Sequence, residues 1–172
     1  PIGIEVAQAH NNLGVRVTLL EMAAIMPKDD RELVDVLRCR LIKDGIDIIE
    51  GAVVTGVEKT VSGIAVAYKG NGEEGRCLIE GSNIIIAAGR CPNVNGLGLD
   101  EAGVLFSKKG VEVDVRLRTK NKRIFAIGDV VGGPQFTHVA SYHAGVVIKN
   151  ALFRWPARAN YRCIPRVTYT SP

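Results

Sequence analysis

The sequence of 172 residues is poor in aromatics, 5% of the total with a single Trp, and has no apolar run near the roughly 20 residues that cross a bilayer. It also lacks the basic start and small-residue cleavage pattern of a secretory leader. A cytoplasmic setting with no membrane partner is expected. Its four cysteines, Cys39, Cys77, Cys91 and Cys163, fall into no C-x-x-C or metal-ligand spacing. That spacing gives no sign of a zinc site or a dithiol redox centre, the composition excludes a disulfide scaffold, and the thiols are expected to be reduced and structural, with no metal bound. Internal repeats and low-complexity tracts are missing too. With 47% hydrophobic and 23% charged residues, the chain has enough apolar material for a core, and wholesale disorder is excluded.

What is present is glycine, 19 residues, beside abundant Val, Ile and Ala. This is the balance of βα units joined by tight turns. The net charge of +4 hides an asymmetry: residues 1–100 carry 10 basic and 14 acidic side chains, and residues 101–172 carry 12 and 4. The densest basic stretch, Arg116 to Arg123, has no interleaved aromatics. It reads as a solvated strand edge, and no nucleic-acid partner is expected.

Ile2, Val6, Ala9 and Leu13 recur at helical spacing until Asn11, Asn12 and Gly14 end the pattern. Val15 to Leu20 is a buried strand closing on Glu21. Asp29 or Asp30 caps a second helix on Leu33, Leu37 and Leu41 that stops at Gly45. Short strands follow at Ile46–Ile49, Val53–Lys59, Ile64–Tyr68 and Cys77–Glu80, with Asn71-Gly72 as a hairpin turn. Asn83 to Ala87 reads as a further buried strand. A Gly-, Pro- and Asn-rich crossover leads to strands at Val111–Val115 and Ile124–Ile127. A helix over Thr137–Phe153 turns Val139, Tyr142, Val146 and Val147 inward, and a linker then leads to a strand starting at Arg162. The strand that should precede the first helix is missing, so the chain reads as a fragment.

Two constellations carry chemistry. A dinucleotide fold needs a close glycine at its first strand-to-helix turn and an acid at the end of the second strand for the adenosine ribose. Gly3 fits the last glycine of G-x-G-x-x-G, and Glu21 lies 18 residues beyond it. The competing reading makes Gly3 a helix packing contact and Glu21 a solvated strand end. In the second constellation a buried strand ends in Gly128 and Asp129, whose carboxylate can accept a ligand hydroxyl or cap the turn at Val130 to Gly132. A Gly-Gly-Pro turn then leads to Gln135, Phe136, Thr137 and His138, whose backbone N–H groups open a helix. The His138 imidazole reads as a helix-start hydrogen-bonding group, His10 as solvent-facing, and His143 receives no role.

The runs I-G-I-E-V-A-Q, L-G-V-R-V-T-L-L-E, I-I-A-A-G-R-C-P-N, I-F-A-I-G-D with F-T-H-V-A, and I-P-R-V-T-Y-T-S-P occur in that order. The sequence resembles the pyridine nucleotide-disulfide oxidoreductases, the family of dihydrolipoamide dehydrogenase and of mercuric and glutathione reductases. The resemblance implies an α/β fold: a Rossmann-like NAD-binding domain over 1–88 lacking its first strand, the second portion of a split FAD-binding domain over 89–152, and a linker with the start of a dimer-interface domain over 153–172. It implies Ile2, Gly3, Glu5, Glu21, Val54 and Gly89 at NAD, and Asp129, Gln135, Phe136, Thr137 and His138 at FAD.

The same resemblance implies a homodimeric enzyme that moves hydride between NAD(H) and flavin, coupled to a cysteine pair outside this chain. Its substrate would be a small-molecule or protein disulfide. No catalytic residue is expected here, and the chain alone should be colourless and inactive. Alternatives are a non-catalytic nucleotide-binding module and a flavoprotein of the NADH oxidase or peroxidase type.

Overall fold

The computed structural model describes residues 1–70 and 75–171, which divide into two units: Pro1–Ala88 with the residues from Val167 onward, and Gly89–Arg166. In the first, helix α1 (Ile2–Asn12) leads to strand β1 (Thr18–Glu21), helix α2 (Arg31–Lys43) and strand β2 (Asp47–Glu50). β1 and β2 run parallel, from Thr18 opposite Asp47 to Glu21 opposite Glu50. Parallel neighbours cannot be joined by a tight turn, and α2 is the crossover that joins them. Asp30 starts that helix, its extended backbone letting the carboxylate accept the Glu32 N–H at 3.0 Å.

Val34 and Leu41 turn α2 toward a core shared with Ile4, Ala7, Ile25 and Ile46. Leu41 is wholly buried, and its truncation to Ala should cost about 2 to 5 kcal/mol. Leu33, expected inside, is 71% exposed, and Val34 takes its place. A similar shift affects α1, whose buried side chains are Ile4, Ala7 and Gln8, while Ile2 and Leu13 face outward. Both sets fit helical spacing, and the buried Gln8 amide is tolerated because it is fully paired. The unit continues as an antiparallel meander of β3 (Val53–Lys59), β4 (Ile64–Lys69) and β5 (Cys77–Gly81), with a bulge between Val54 and Gly56. The Asn71-Gly72 turn lies outside the described residues.

The second unit has less regular structure: a ribbon of β6 (Phe106–Ser107) and β7 (Gly110–Val111), a one-turn 3-10 helix at Gly128–Val131, and helix α3 (Thr137–Ala151). Val94, Val104, Val111 and Ala126 form its core, packed by Leu99, Phe106, Ile124 and Val130. Gly110 and Gly132 interlock. A Cβ at Gly110 would stand 2.6 Å from the Val130 carbonyl oxygen, and one at Gly132 would collide with that of Lys109.

Several expected strands are not formed. Asn83 to Ala87 pairs with no described residue and Ile86 is 78% exposed, because a strand buried on both faces exists only where neighbours hydrogen-bond to it. Val111–Val115 contracts to the end of β7, and Ile124–Ile127 keeps one isolated bridge, Arg118 to Phe125. Arg162 to Tyr169 forms no strand. Arg116 to Arg123 is not a continuous strand edge but two turns flanking the Arg118 bridge: Asp114 gathers the first, accepting the Arg116 and Arg118 N–H groups at 2.8 and 3.0 Å and pairing with the Arg118 guanidinium, and Asn121 closes the second, accepting the Ile124 N–H at 2.9 Å. His10 is half-buried and donates from Nδ1 to the Val6 carbonyl at 2.8 Å. Among the described residues there is no disulfide, no cluster able to hold a metal, and no helix long and apolar enough to cross a membrane.

Candidate functional site

In the first unit the start of α1 has no side-chain cap. The Pro1 carbonyl accepts the Ile4 and Glu5 N–H groups at 2.9 and 3.1 Å, which leaves those of Ile2 and Gly3 with no acceptor among the described residues. N–H groups at a helix N-terminus can face an anion. An added Cβ at Gly3 would meet that of Ala87 at 3.4 Å, an ordinary packing contact. Glu5 accepts the Tyr169 N–H at 2.9 Å, and Gln8, which the sequence did not single out, exchanges two hydrogen bonds with the Ser171 backbone at 2.7 and 3.1 Å. These bonds hold the C-terminal segment against α1.

Glu21 ends β1 beside Glu50. Two adjacent carboxylates repel, and the structure relieves this by pairing one of them with a cation. Glu50 takes the Arg38 guanidinium on one oxygen and the Ile25 N–H on the other at 2.6 Å. The Arg38 hydrogen bond, outweighing burial, holds the Glu50 carboxyl below its ordinary range. Glu21 uses one oxygen to accept the Ala23 N–H at 3.1 Å and has its second open. The Glu21 carbonyl accepts the Ala52 N–H at 2.9 Å, which ties the start of β3, and so the exposed Val54, to the same strand end.

In the second unit Gly89 (φ +110°) has open surroundings. Arg90 draws two later turns together: its guanidinium donates to the Gln135 carbonyl at 3.1 Å and lies 3.5 Å from the Asp129 carboxylate. Asp129 is half-exposed, so a ligand can reach it. α3 begins at Phe136 without a side-chain cap. The Thr137 and His138 N–H groups have no acceptor among the described residues. His138 stacks on Phe136 with ring centroids 5.2 Å apart and donates from Nε2 to the Pro165 carbonyl at 3.1 Å. Its imidazole is therefore engaged in fixing the helix start.

Sequence reasoning missed Arg90 and His143. Arg90 stood inside the A-A-G-R-C-P-N run without a role. His143 replaces Tyr142 on the buried stripe of α3, between Val139 and Val146; an imidazole at that spacing within an apolar stripe was the available signal.

The model of the pyridine nucleotide-disulphide oxidoreductases matches residues 1–144. The chain belongs to this family. A dihydrolipoyl dehydrogenase of Geobacillus stearothermophilus is 36% identical across 99% of the chain, which covers 36% of that protein. A mercuric reductase of Staphylococcus aureus is 37% identical across 99% of the chain, covering 31% of that protein. Among solved structures, the flavoprotein disulfide reductase RclA of Escherichia coli superimposes with a TM-score of 0.81 at 31% identity, over 91% of this chain and 35% of RclA. LpdA of Mycobacterium tuberculosis gives 0.83 at 27% identity, over 94% and 34%. The chain thus spans about a third of the family members it matches, and its α/β fold is theirs.

Proposed function

We propose that this chain is a segment of an FAD-dependent, NADH-using disulfide oxidoreductase resembling dihydrolipoamide dehydrogenase. Residues 1–88 form most of its NAD-binding domain, 89–152 the second portion of its FAD-binding domain, and 153–172 a linker and the start of a dimer-interface domain. One observation carries the reading: Arg90 ties the Asp129 carboxylate to the turn that opens α3, so an acceptor for a sugar-alcohol hydroxyl and two open N–H groups belong to one site. A ribityl chain needs the first, and the electron-rich pyrimidine edge of a flavin needs the second. Gly128, with φ of +70° and Ala140 3.1 Å from an added Cβ, lets the backbone just before Asp129 pack closely on α3.

Bound FAD would supply a two-electron relay between nicotinamide and a cysteine pair. The protein's own part is to bind and orient. Asp129 accepts a ribityl hydroxyl, and the α3 N–H groups stabilise negative charge at the ring. In the first unit the Ile2 and Gly3 N–H groups hold a pyrophosphate oxygen, Glu5 lies toward the nicotinamide, Glu21 accepts the ribose diol and Val54 borders the adenine. The substrate is a small-molecule or protein disulfide, and the enzyme is a cytoplasmic homodimer. The names of the relatives above 30% identity, a dihydrolipoyl dehydrogenase, a mercuric reductase and a disulfide reductase, support this reading over an NADH oxidase.

Purification of the full-length protein tests this. It should be yellow with one FAD per chain, bleach with NADH, and regain its colour with a disulfide in the absence of oxygen. Reoxidation by oxygen alone would favour the oxidase, and nucleotide binding without flavin would favour a non-catalytic module.

A further inference from the structure

His143 is 1% exposed inside α3, and both its ring nitrogens are engaged. Nδ1 accepts the Gly128 backbone N–H at 3.0 Å, and Nε2 lies 2.8 Å from the Tyr161 hydroxyl. A nitrogen that accepts an N–H carries no proton of its own, so the proton is on Nε2 and is donated to Tyr161. The ring is held edge-on against that of Tyr161, centroids 5.6 Å apart at 82°. Burial lowers the imidazole's affinity for a second proton, in keeping with a neutral ring.

The neighbouring residue continues the arrangement. Tyr142 accepts the Asn160 N–H on its hydroxyl at 2.8 Å, so two consecutive α3 side chains grip the segment before Tyr161. At the other end, Gly128 sits against Ala140, one helical turn before His143, and directly precedes Asp129. The bond from His143 therefore fixes the distance between the Asp129 backbone and the open end of α3.

We propose that His143 is a positioning residue of the flavin site, a neutral imidazole that Tyr161 locks in its Nε2–H form so that Nδ1 holds Gly128 and sets Asp129 at the proper spacing from the α3 N-terminus. This rests on the flavin reading of the second unit. The imidazole touches no flavin atom and exchanges no proton in the reaction. Its work is to accept one backbone N–H that would otherwise be buried without a partner.

Three variants of the full-length flavoprotein test it. His143→Leu removes the acceptor. His143→Asn restores it, because the Asn carbonyl oxygen stands at the same bond count from the backbone as Nδ1. Tyr161→Phe leaves the acceptor but releases the tautomer lock. FAD affinity of the reconstituted apoprotein should weaken about tenfold or more in His143→Leu, recover to within about threefold of wild type in His143→Asn, and fall between them in Tyr161→Phe. The visible circular dichroism of the bound flavin should change in the same order. Nitrogen chemical shifts of the imidazole should report an Nε2–H tautomer in wild type, whether or not flavin is present.

Equal FAD affinity in wild type and His143→Leu, or equal losses in the Leu and Asn variants, overturns the positioning role while leaving the flavin site standing. An Nδ1–H tautomer overturns it as well. A wild-type protein that binds no FAD overturns the reading of the unit itself, and this inference with it.

Discussion

Glu21 and Glu50 stand opposite each other at the carboxyl ends of two parallel strands, and only Glu50 is neutralised by a cation. The pairing of Glu50 with Arg38 lowers the repulsion that Glu21 would otherwise meet. Glu21 is thereby left as the charged acceptor at the strand end where a dinucleotide fold places the adenosine ribose.

On the proposed reading, cofactor choice depends on the Glu21 carboxylate, whose second oxygen is open. Hydrogen bonds to a charged group contribute about 1.5 to 3 kcal/mol, and a 2′-phosphate would be repelled, so the full-length enzyme should prefer NADH over NADPH by about tenfold or more. Glu21→Ala should narrow that ratio chiefly by raising KM for NADH. Equal use of both cofactors by the wild type would remove Glu21 from the ribose site.

The same pair predicts an acid limb. Glu50 has its folded-state value below its ordinary 4.5, so the folded state binds fewer protons than the unfolded one as the pH falls past that point. The stabilisation is complete above about 4.5 and is lost as pH falls through the lower, folded value. Glu50→Gln should cost about 1 kcal/mol at neutral pH and flatten this limb. Thermal unfolding followed from neutral pH downward measures both, and an unchanged slope would show that the carboxylate carries no such linkage.

Backbone conformation gives a paired prediction in the second unit. Gly132 and Gly133 both have φ near +70°, but an added methyl collides with the Lys109 carbonyl only at Gly132. Gly133→Ala should cost about 1 to 2 kcal/mol, the strain of a left-handed residue alone. Gly132→Ala should cost clearly more and abolish soluble expression or flavin retention. Matching melting temperatures for the two variants would mean the ribbon and the turn do not interlock.

The βα core was legible because its signals are local. Asp30 before a leucine stripe and Glu21 at the end of an aliphatic run each depend on a few neighbouring residues. The run Ile84-Ile85-Ile86 shows the opposite case, since its composition says strand while pairing depends on partners elsewhere, and none is found among the described residues. Periodicity also left the inner face of α1 open, because two interleaved sets fit it, and the buried one is the set whose Ile4 and Ala7 pack with Ile25, Val34, Leu41 and Ile46 from distant parts of the unit. Arg90 was readable only as part of a motif, since its reach to Asp129 and Gln135 depends on how distant loops meet.

The most direct test is the FAD dissociation constant of full-length Asp129→Ala beside its thermal stability without flavin. Leaving a buried flavin hydroxyl without its acceptor costs about 1 to 3 kcal/mol, which corresponds to a loss of affinity of about ten- to a hundredfold, with an apoprotein melting temperature close to that of the wild type. Unchanged flavin affinity with a lower melting temperature would make Asp129 a cap of the Gly128–Val131 turn, and the flavin assignment of the second unit would fall at its central residue.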